Sequence, residues 1–412
     1  MVAAAVRAAA RFNVRPLLPG PEDALRDTVV RLGVAAQRLP VLADHAVVEA
    51  LALEGLPSDL TQLLHQVVRE RGGEVLSSAD GTRAVVMASL SLAGALGGLL
   101  EAHGGDAAEL GGAIGNTLVA RGAPPAPLVA RGHRLEFGRR TLVMGILNVT
   151  PDSFSGDGLS GDVRAACRIA SEMAENGADI IDVGGESTRP NSAAVSAGEE
   201  RSRVLPVIEA LARSLPLPIS VDTRKAEVAR AALDAGAAIV NDVWGLRGDP
   251  EMAPVVAASD DVGVIVMHNQ RGVEYSDLMR DVAFALRQSL VVAADAGIDP
   301  ARVVIDPGFG FAKTPAHNLE LTRRLGELRG IGRAILIGPS RKSTIGLLTG
   351  GAGAAQRLEG SLVLAALAIA GGADIVRVHD VAETVRAVRV ADAVVRGTPD
   401  SVRDLPAPGP TG

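Results

Sequence analysis

The sequence predicts an α/β protein, a (β/α)8 TIM barrel preceded by a small α/β N-terminal domain, and three observations point to it. Eight short runs rich in Val and Ile recur after residue 140, separated by amphipathic stretches. The runs are almost continuously apolar, so they are strands buried on both faces, as in a parallel sheet. They spread over roughly 260 residues, close to the ~250 that eight βα units require. A doubly wound open sheet is the competing fold, with fewer strands and a single switch point.

Length sets the frame for the elements in order. At ~150 residues per domain, 412 residues suggest two or three domains. The first twelve, MVAAAVRAAARF, are rich in Ala and Arg without acids. They resemble a transit peptide superficially, and a short frayed tail is the plainer reading. Residues 1–125 read as a small α/β extension. Helical spacing marks 21–34 and 56–73, the latter with Ser58 and Asp59 able to cap and Gly72 to stop it. TRAVVMASL (82–90) reads as a strand and SLAGALGGLLEAHGG (91–105) as the following helix. His45, His65 and His103 lack metal-ligand spacing. The Pro- and Gly-rich stretch from Arg121 to Arg140 breaks the pattern, and 126–140 reads as a linker leading into the barrel.

The barrel is expected over 141–398, with a disordered tail at 399–412. Its strand candidates are 142–147 (LVMGIL), 179–183 (DIIDV), 219–221 (ISV), 238–240 (AIV), 262–267 (VGVIVM), 302–305 (RVVI), 334–337 (AILI) and 374–378 (DIVRV). Gly-Ala pairs at 177–178, 236–237 and 372–373 end the helices before three of them.

Composition excludes several function classes. Apolar residues make up 47% and charged residues 22%, which rules out a wholly disordered chain. A net charge of −7 and only 2% aromatics argue against nucleic-acid binding by bulk charge or by base stacking. The single cysteine, Cys167, cannot form an internal disulfide and fits a reducing cytosol, so a cytoplasmic location is expected. The uncharged run 84–100 contains Gly and Ser and reads as strand and helix, so no membrane partner is expected.

In a barrel the chemistry sits at the C-terminal ends of the strands. Read there, the chain gives Asn148 after strand one, GGESTRP after two, Asp222 and Thr223 after three, Asn241 and Asp242 after four. It then gives Met267, His268 and Asn269 after five, DPGFGF and Lys313 after six, Ser340 to Ser343 after seven, and Arg377 with His379 after eight. Asp222, Asp306 and Asn241 suit a flat heterocycle with N–H donors and ring acceptors. Arg377 and His379 read as a cationic pair for a phosphate or pyrophosphate, beside Asn148, whose oxygen could ligate magnesium. Ser343 opens a helix whose backbone N–H groups could receive a carboxylate. Gly-rich loops after strands one and two, with Phe154 at a tip, could close over a substrate. Lysine is rare, three of 41 basic residues, and Lys225, Lys313 and Lys342 all follow barrel strands.

MGILNVTPDSF, DVGGESTRP, SVDT, NDV, MHN, DPGFGF, SRKS and RVHDV, in this order and spacing, resemble bacterial dihydropteroate synthase over residues 134 to 397. The resemblance implies condensation of 6-hydroxymethyl-dihydropterin pyrophosphate with p-aminobenzoate, releasing dihydropteroate and pyrophosphate, and a sulfonamide target. By matching motif it implies that Asp222, Asn241, Asp306 and Lys342 hold the pterin, with Met267 and Phe311 beside it. Asn148, Arg377 and His379 would hold pyrophosphate with Mg2+. Thr188, Arg189, Pro190, Phe154 and Ser343 would shape the p-aminobenzoate side. Asp222, Asp306, Lys342, Arg377 and His379 are the candidate catalytic set. Family members pair as homodimers, and 362–369 (LVLAALAI) is the candidate stripe, with packing on the barrel as the other reading. The resemblance departs at Ala312 and Pro339, neither of which removes a contacting side chain. Two other readings stay open: a methyltetrahydrofolate:corrinoid methyltransferase, and a non-catalytic pterin-binding paralogue.

Overall fold

The structure, a computed structural model, describes residues 15–16, 48–149, 163–186 and 195–397. The expected helix at 21–34, the N-terminal stretch and the expected tail lie outside the described residues.

The N-terminal part is built on an antiparallel sheet of β1 (Arg15–Pro16), β2 (Val48–Glu54), β3 (Glu74–Ser77) and β4 (Arg83–Ser89), in the order β1-β2-β4-β3. Helix α1 (Ser58–Arg69) buries Leu60, Leu64, Val67 and Val68, the positions its sequence period marks. Its cap position is Pro57, so Ser58 is the first helical residue rather than the cap. Helix α2 (Leu90–Glu101) is capped by Ser89, whose side chain accepts from the Leu92 N–H. Helix α3 (Gly105–Gly122) packs against α2 at glycines. A Cβ on Gly97 would come within 3.0 Å of the Gly111 carbonyl, and one on Gly111 within 2.5 Å of the Gly97 carbonyl. Only glycine lets the two backbones approach this closely.

All eight expected barrel strands form: β7 (Leu142–Asn148), β8 (Ile180–Gly184), β9 (Ile219–Asp222), β10 (Ile239–Asp242), β11 (Gly263–Met267), β12 (Val303–Asp306), β13 (Ala334–Ile337) and β14 (Ile375–Val378). They pair in parallel in sequence order, and β14 closes on β7. This closed ring settles the choice against an open sheet. Between the strands run α4 (Val163–Glu175), α5 (Ala197–Ser214), α6 (Ala226–Asp234), α7 (Met252–Ala257), α8 (Leu278–Asp295), α9 (Pro315–Arg323), α10 (Ser343–Leu348) and α11 (Leu358–Ala370). After β14 comes α12 (Val381–Val395). Gly177, with φ of 95°, ends α4 in the left-handed conformation, and the Ala178 N–H returns to the Met173 carbonyl at 2.9 Å.

Successive strand residues belong alternately to two apolar clusters, which is the period of two expected of a barrel. Val143, Ile181, Val240, Val264, Ile335 and Val376 pack outward with the helices. Met144, Ile180, Ile239, Ile265, Leu336 and Ile375 pack inward.

The stretch expected to be a linker carries structure of its own. β5 (Leu128–Ala130) and β6 (His133–Leu135) form a short antiparallel hairpin. Leu128, Ala130, Leu135 and nearby Phe137 join the inward cluster, and the Arg131 N–H bonds to the Asp261 carbonyl at 2.8 Å. The hairpin floors the barrel at the N-terminal ends of its strands.

Candidate active site

Above the apolar floor the inward positions turn polar. Register places Asn148 opposite Gly184, Gly184 opposite Asp222, and Asp222 opposite Asn241, so four strands supply one level. Met267 and Asp306 are paired on β11 and β12. Asp222, Asn241, Met267 and Asp306 are all buried, while Asn148 is partly exposed. A Cβ on Gly184 would lie 3.7 Å from the Asn148 Oδ1 and 3.6 Å from the Asp222 Cβ, so those two side chains converge over the glycine.

Arg377 reaches into this level from β14. Its Nε donates to Asp182 Oδ2 at 2.6 Å and its Nη2 to Asp222 Oδ2 at 2.6 Å. Asn241 Nδ2 donates to the same Asp182 oxygen at 3.1 Å. Asp222 and Asn241 of the expected heterocycle set and Arg377 of the expected anion set are therefore joined through Asp182 in one hydrogen-bonded network. Burial pushes Asp222 up to about 7, against the pull of Arg377 and with a further push from neighbouring Asp182. Burial also raises Asp306 to about 6, opposed by the Gly308 N–H that donates to its Oδ1 at 2.7 Å.

The sequence suggests His379 as a second cation, and its surroundings work against that charge. Burial, then the nearby charges of Arg341 and Arg377, push it down to about 3, so the ring is neutral at pH 7. Its Nδ1 lies 3.0 Å from Ser340 Oγ, and its backbone N–H donates to the same oxygen at 3.2 Å. Arg341, with a φ of 57°, turns its guanidinium onto Asp380 in a two-point ion pair, so its charge is held beside His379.

Lys342 lies 4.0 Å above the centre of the Phe311 ring, a cation on an aromatic face. Gly310 makes room for it: a Cβ there would be 2.8 Å from the Lys342 Cδ. Ser343 is exposed as the first residue of α10. Phe154, Thr188, Arg189 and Pro190 lie outside the described residues.

Three groups carry no assigned role in the sequence reading, although Lys225 and Lys313 stand out there as rare lysines after barrel strands. Asp182, wholly buried, ties Arg377 to Asn241. Its only signal is an acid inside an apolar run, DIIDV, at an inward position. Lys313, also buried, donates to His268 Nδ1 at 2.9 Å and to the Phe311 carbonyl at 3.2 Å. Burial lowers Lys313 to about 7 and drives His268 far below its usual range, so the imidazole is the neutral acceptor. Lys225 donates to Glu186 at 2.8 Å and is paired with buried Glu200. Among the described residues no group of three or more His, Cys, Asp or Glu could hold a metal ion.

Known proteins resemble the chain over the barrel and, in one case, beyond it. Residues 144–379 match the family described as pterin binding enzyme. The dihydropteroate synthase of Clostridium beijerinckii is 46% identical over 260 residues, which are 63% of this chain and 96% of that one. A probable bifunctional folylpolyglutamate synthase/dihydropteroate synthase of Halobacterium salinarum is 42% identical over 354 residues, 82% of this chain and 42% of the relative. Among solved structures, Xanthomonas albilineans dihydropteroate synthase with 4-aminobenzoic acid has a TM-score of 0.63 and 46% identity, covering 66% of this chain and 98% of its own. Burkholderia cenocepacia dihydropteroate synthase complexed with 7,8-dihydropteroate has a TM-score of 0.61 and 41% identity, covering 66% and 97%.

Proposed function

The chain belongs to the pterin-binding enzyme family, and from that premise we propose how its barrel works as a dihydropteroate synthase. The enzyme is a transferase. It condenses 6-hydroxymethyl-7,8-dihydropterin pyrophosphate with p-aminobenzoate, giving 7,8-dihydropteroate and pyrophosphate. The observation that carries the site reading is the buried level of Asp222, Asn241 and Asp306 at the mouth of a closed barrel, with Arg377 bonded to Asp222. Two carboxylates and an amide are acceptors and donors matched to the amino and ring N–H groups of a pterin. Lys342 and Phe311 would flank the ring, with Met267 lining its edge.

In the reaction the bond from the pterin methylene carbon to the pyrophosphate oxygen breaks, and the oxygen keeps the electron pair. The arylamine nitrogen forms the new bond to that carbon and then loses a proton to solvent. An arylamine is already neutral at pH 7, so no strong base is needed. The work of the residues is positioning and charge stabilisation. Asp222 and Asp306 offset positive charge that develops on the pterin. Arg377 supplies fixed positive charge at the pyrophosphate end, and His379 offers a hydrogen bond there. Asn148 would hold Mg2+ together with the pyrophosphate oxygens, and the ion would neutralise the leaving group's charge. Ser343 and, from their motifs, Phe154, Thr188, Arg189 and Pro190 are assigned to the p-aminobenzoate side.

Helix α11 buries Leu364, Ala365, Ala368 and Ile369 on the barrel but exposes Val363 and Leu367, and neighbouring α12 exposes Val390 and Val394. This apolar face supports a homodimer. No helix among the described residues is long and apolar enough to cross a membrane, in keeping with a cytoplasmic site of action.

The test is pyrophosphate release from the pterin pyrophosphate, with and without p-aminobenzoate and Mg2+. Release is expected only with all three, with dihydropteroate as product. Asp222→Asn is expected to lower turnover roughly 100-fold or more. Pterin binding without release under any condition would return the non-catalytic reading.

A further inference from the structure

Asp182 occupies an unusual place. It faces inward on β8, one level below Gly184, opposite Ser220 in the register. It has no exposed surface, so it cannot meet a substrate. A single oxygen, Oδ2, accepts both Arg377 Nε at 2.6 Å and Asn241 Nδ2 at 3.1 Å, while Oδ1 has no hydrogen-bond partner among the described residues. Burying a carboxylate is costly before pairing, and a packed apolar residue commonly serves stability as well or better. Stability alone therefore does not account for an acid here.

We infer that Asp182 is a positioning residue, which orients Asn241 and tethers Arg377 so that both meet the pterin substrate in fixed geometry. The inference rests on the reading of the site given above. For Asn241, the reversed amide would place its oxygen against the Asp182 carboxylate, and the repulsion excludes it. The amide is thus locked with its carbonyl and one remaining N–H available to a ligand. For Arg377, two carboxylates on adjacent strands, Asp182 and Asp222, hold Nε and Nη2. The planar guanidinium has little freedom to turn, and Nη1 is the nitrogen left to face an incoming anion. Gly184, directly above Asp182 on β8, adds no side chain at the level of Asn148 and Asp222.

The test is a double-mutant cycle in the full-length protein, read by equilibrium binding of the pterin pyrophosphate and by steady-state kinetics. D182N removes the charge and keeps the shape. It is expected to weaken pterin pyrophosphate binding by about tenfold, with the KM for p-aminobenzoate within about twofold of wild type. Asn241→Ala is expected to weaken the same binding by about tenfold. In the D182N background it should add less than about threefold, because the amide is already unlocked. A merely structural role for Asp182 predicts independent effects, near 100-fold in the double variant. That result, or unchanged binding in D182N, overturns the inference. If Asn241→Ala alone leaves binding unchanged, the site reading fails instead, whatever D182N does. Should D182N not fold, Asp182→Ser carries the same cycle, since a small hydroxyl leaves room beside Arg377 and Asn241.

Discussion

Asp306 and Asp222 set the proton balance of the site. Both are buried carboxylates raised above the ordinary range, to about 6 and about 7. A raised acid pKa means that the folded chain holds protons between about pH 4 and 7 that the unfolded chain has released. Their contribution to stability therefore falls as pH rises through that window. Ligand binding runs the other way. A pterin that donates N–H groups favours the ionised acceptors, so its affinity is expected to fall as pH drops from 8 to 5, in two overlapping steps. The uncharged 6-hydroxymethyl-7,8-dihydropterin is the probe, because it has no phosphate to titrate. Asp306→Asn should remove the lower step, and a flat profile in the unsubstituted protein would refute this. At this scale the sequence was legible wherever a polar residue ended an apolar run, as Asp222, Asn241 and Asp306 do. It was not legible where charge state depends on residues from another strand. His379 reads as a cation until its burial, and then Arg341 and Arg377 beside it, are in view. Asp182 reads as one more strand residue until its two partners arrive from β10 and β14.

The elements were legible in proportion to their periodicity. The eight barrel strands show in sequence because burial on both faces demands unbroken Val and Ile. The hairpin of β5 and β6 does not, because three residues per strand are too few to display a period of two, and the Pro and Gly around them signal a linker. Yet Leu128, Leu135 and Phe137 are buried under the barrel interior. Phe137→Ala is expected to cost about 3–5 kcal/mol, the usual range for emptying a buried aromatic site. Urea denaturation followed by circular dichroism measures it. A loss below about 1 kcal/mol would mean that the hairpin is packed loosely and is no floor.

The whole molecule has an N-terminal core centred on Leu53, Leu64, Leu96 and Ile114, apart from the cores inside and around the barrel. Helix α3 lies against the 3-10 helical segment Leu325–Ile331, and Arg329 joins the two regions. Its guanidinium pairs with wholly buried Asp374 at 3.1 Å and donates to the Ala123 carbonyl at 3.2 Å. Arg329→Ala leaves Asp374 without its ion-pair partner, and a stability loss of about 3 kcal/mol is expected in the same denaturation experiment. A loss under about 1 kcal/mol would assign the work to the backbone N–H of Ile335, which also reaches Asp374. The floored barrel has one further implication, for traffic. It is a cul-de-sac: two reactants must enter and two products must leave through one doorway. Depth then dictates the queue. If the lowest carboxylates take the ring, as proposed, the ring is expected to load before the arylamine, and the joined product to leave before the next ring enters.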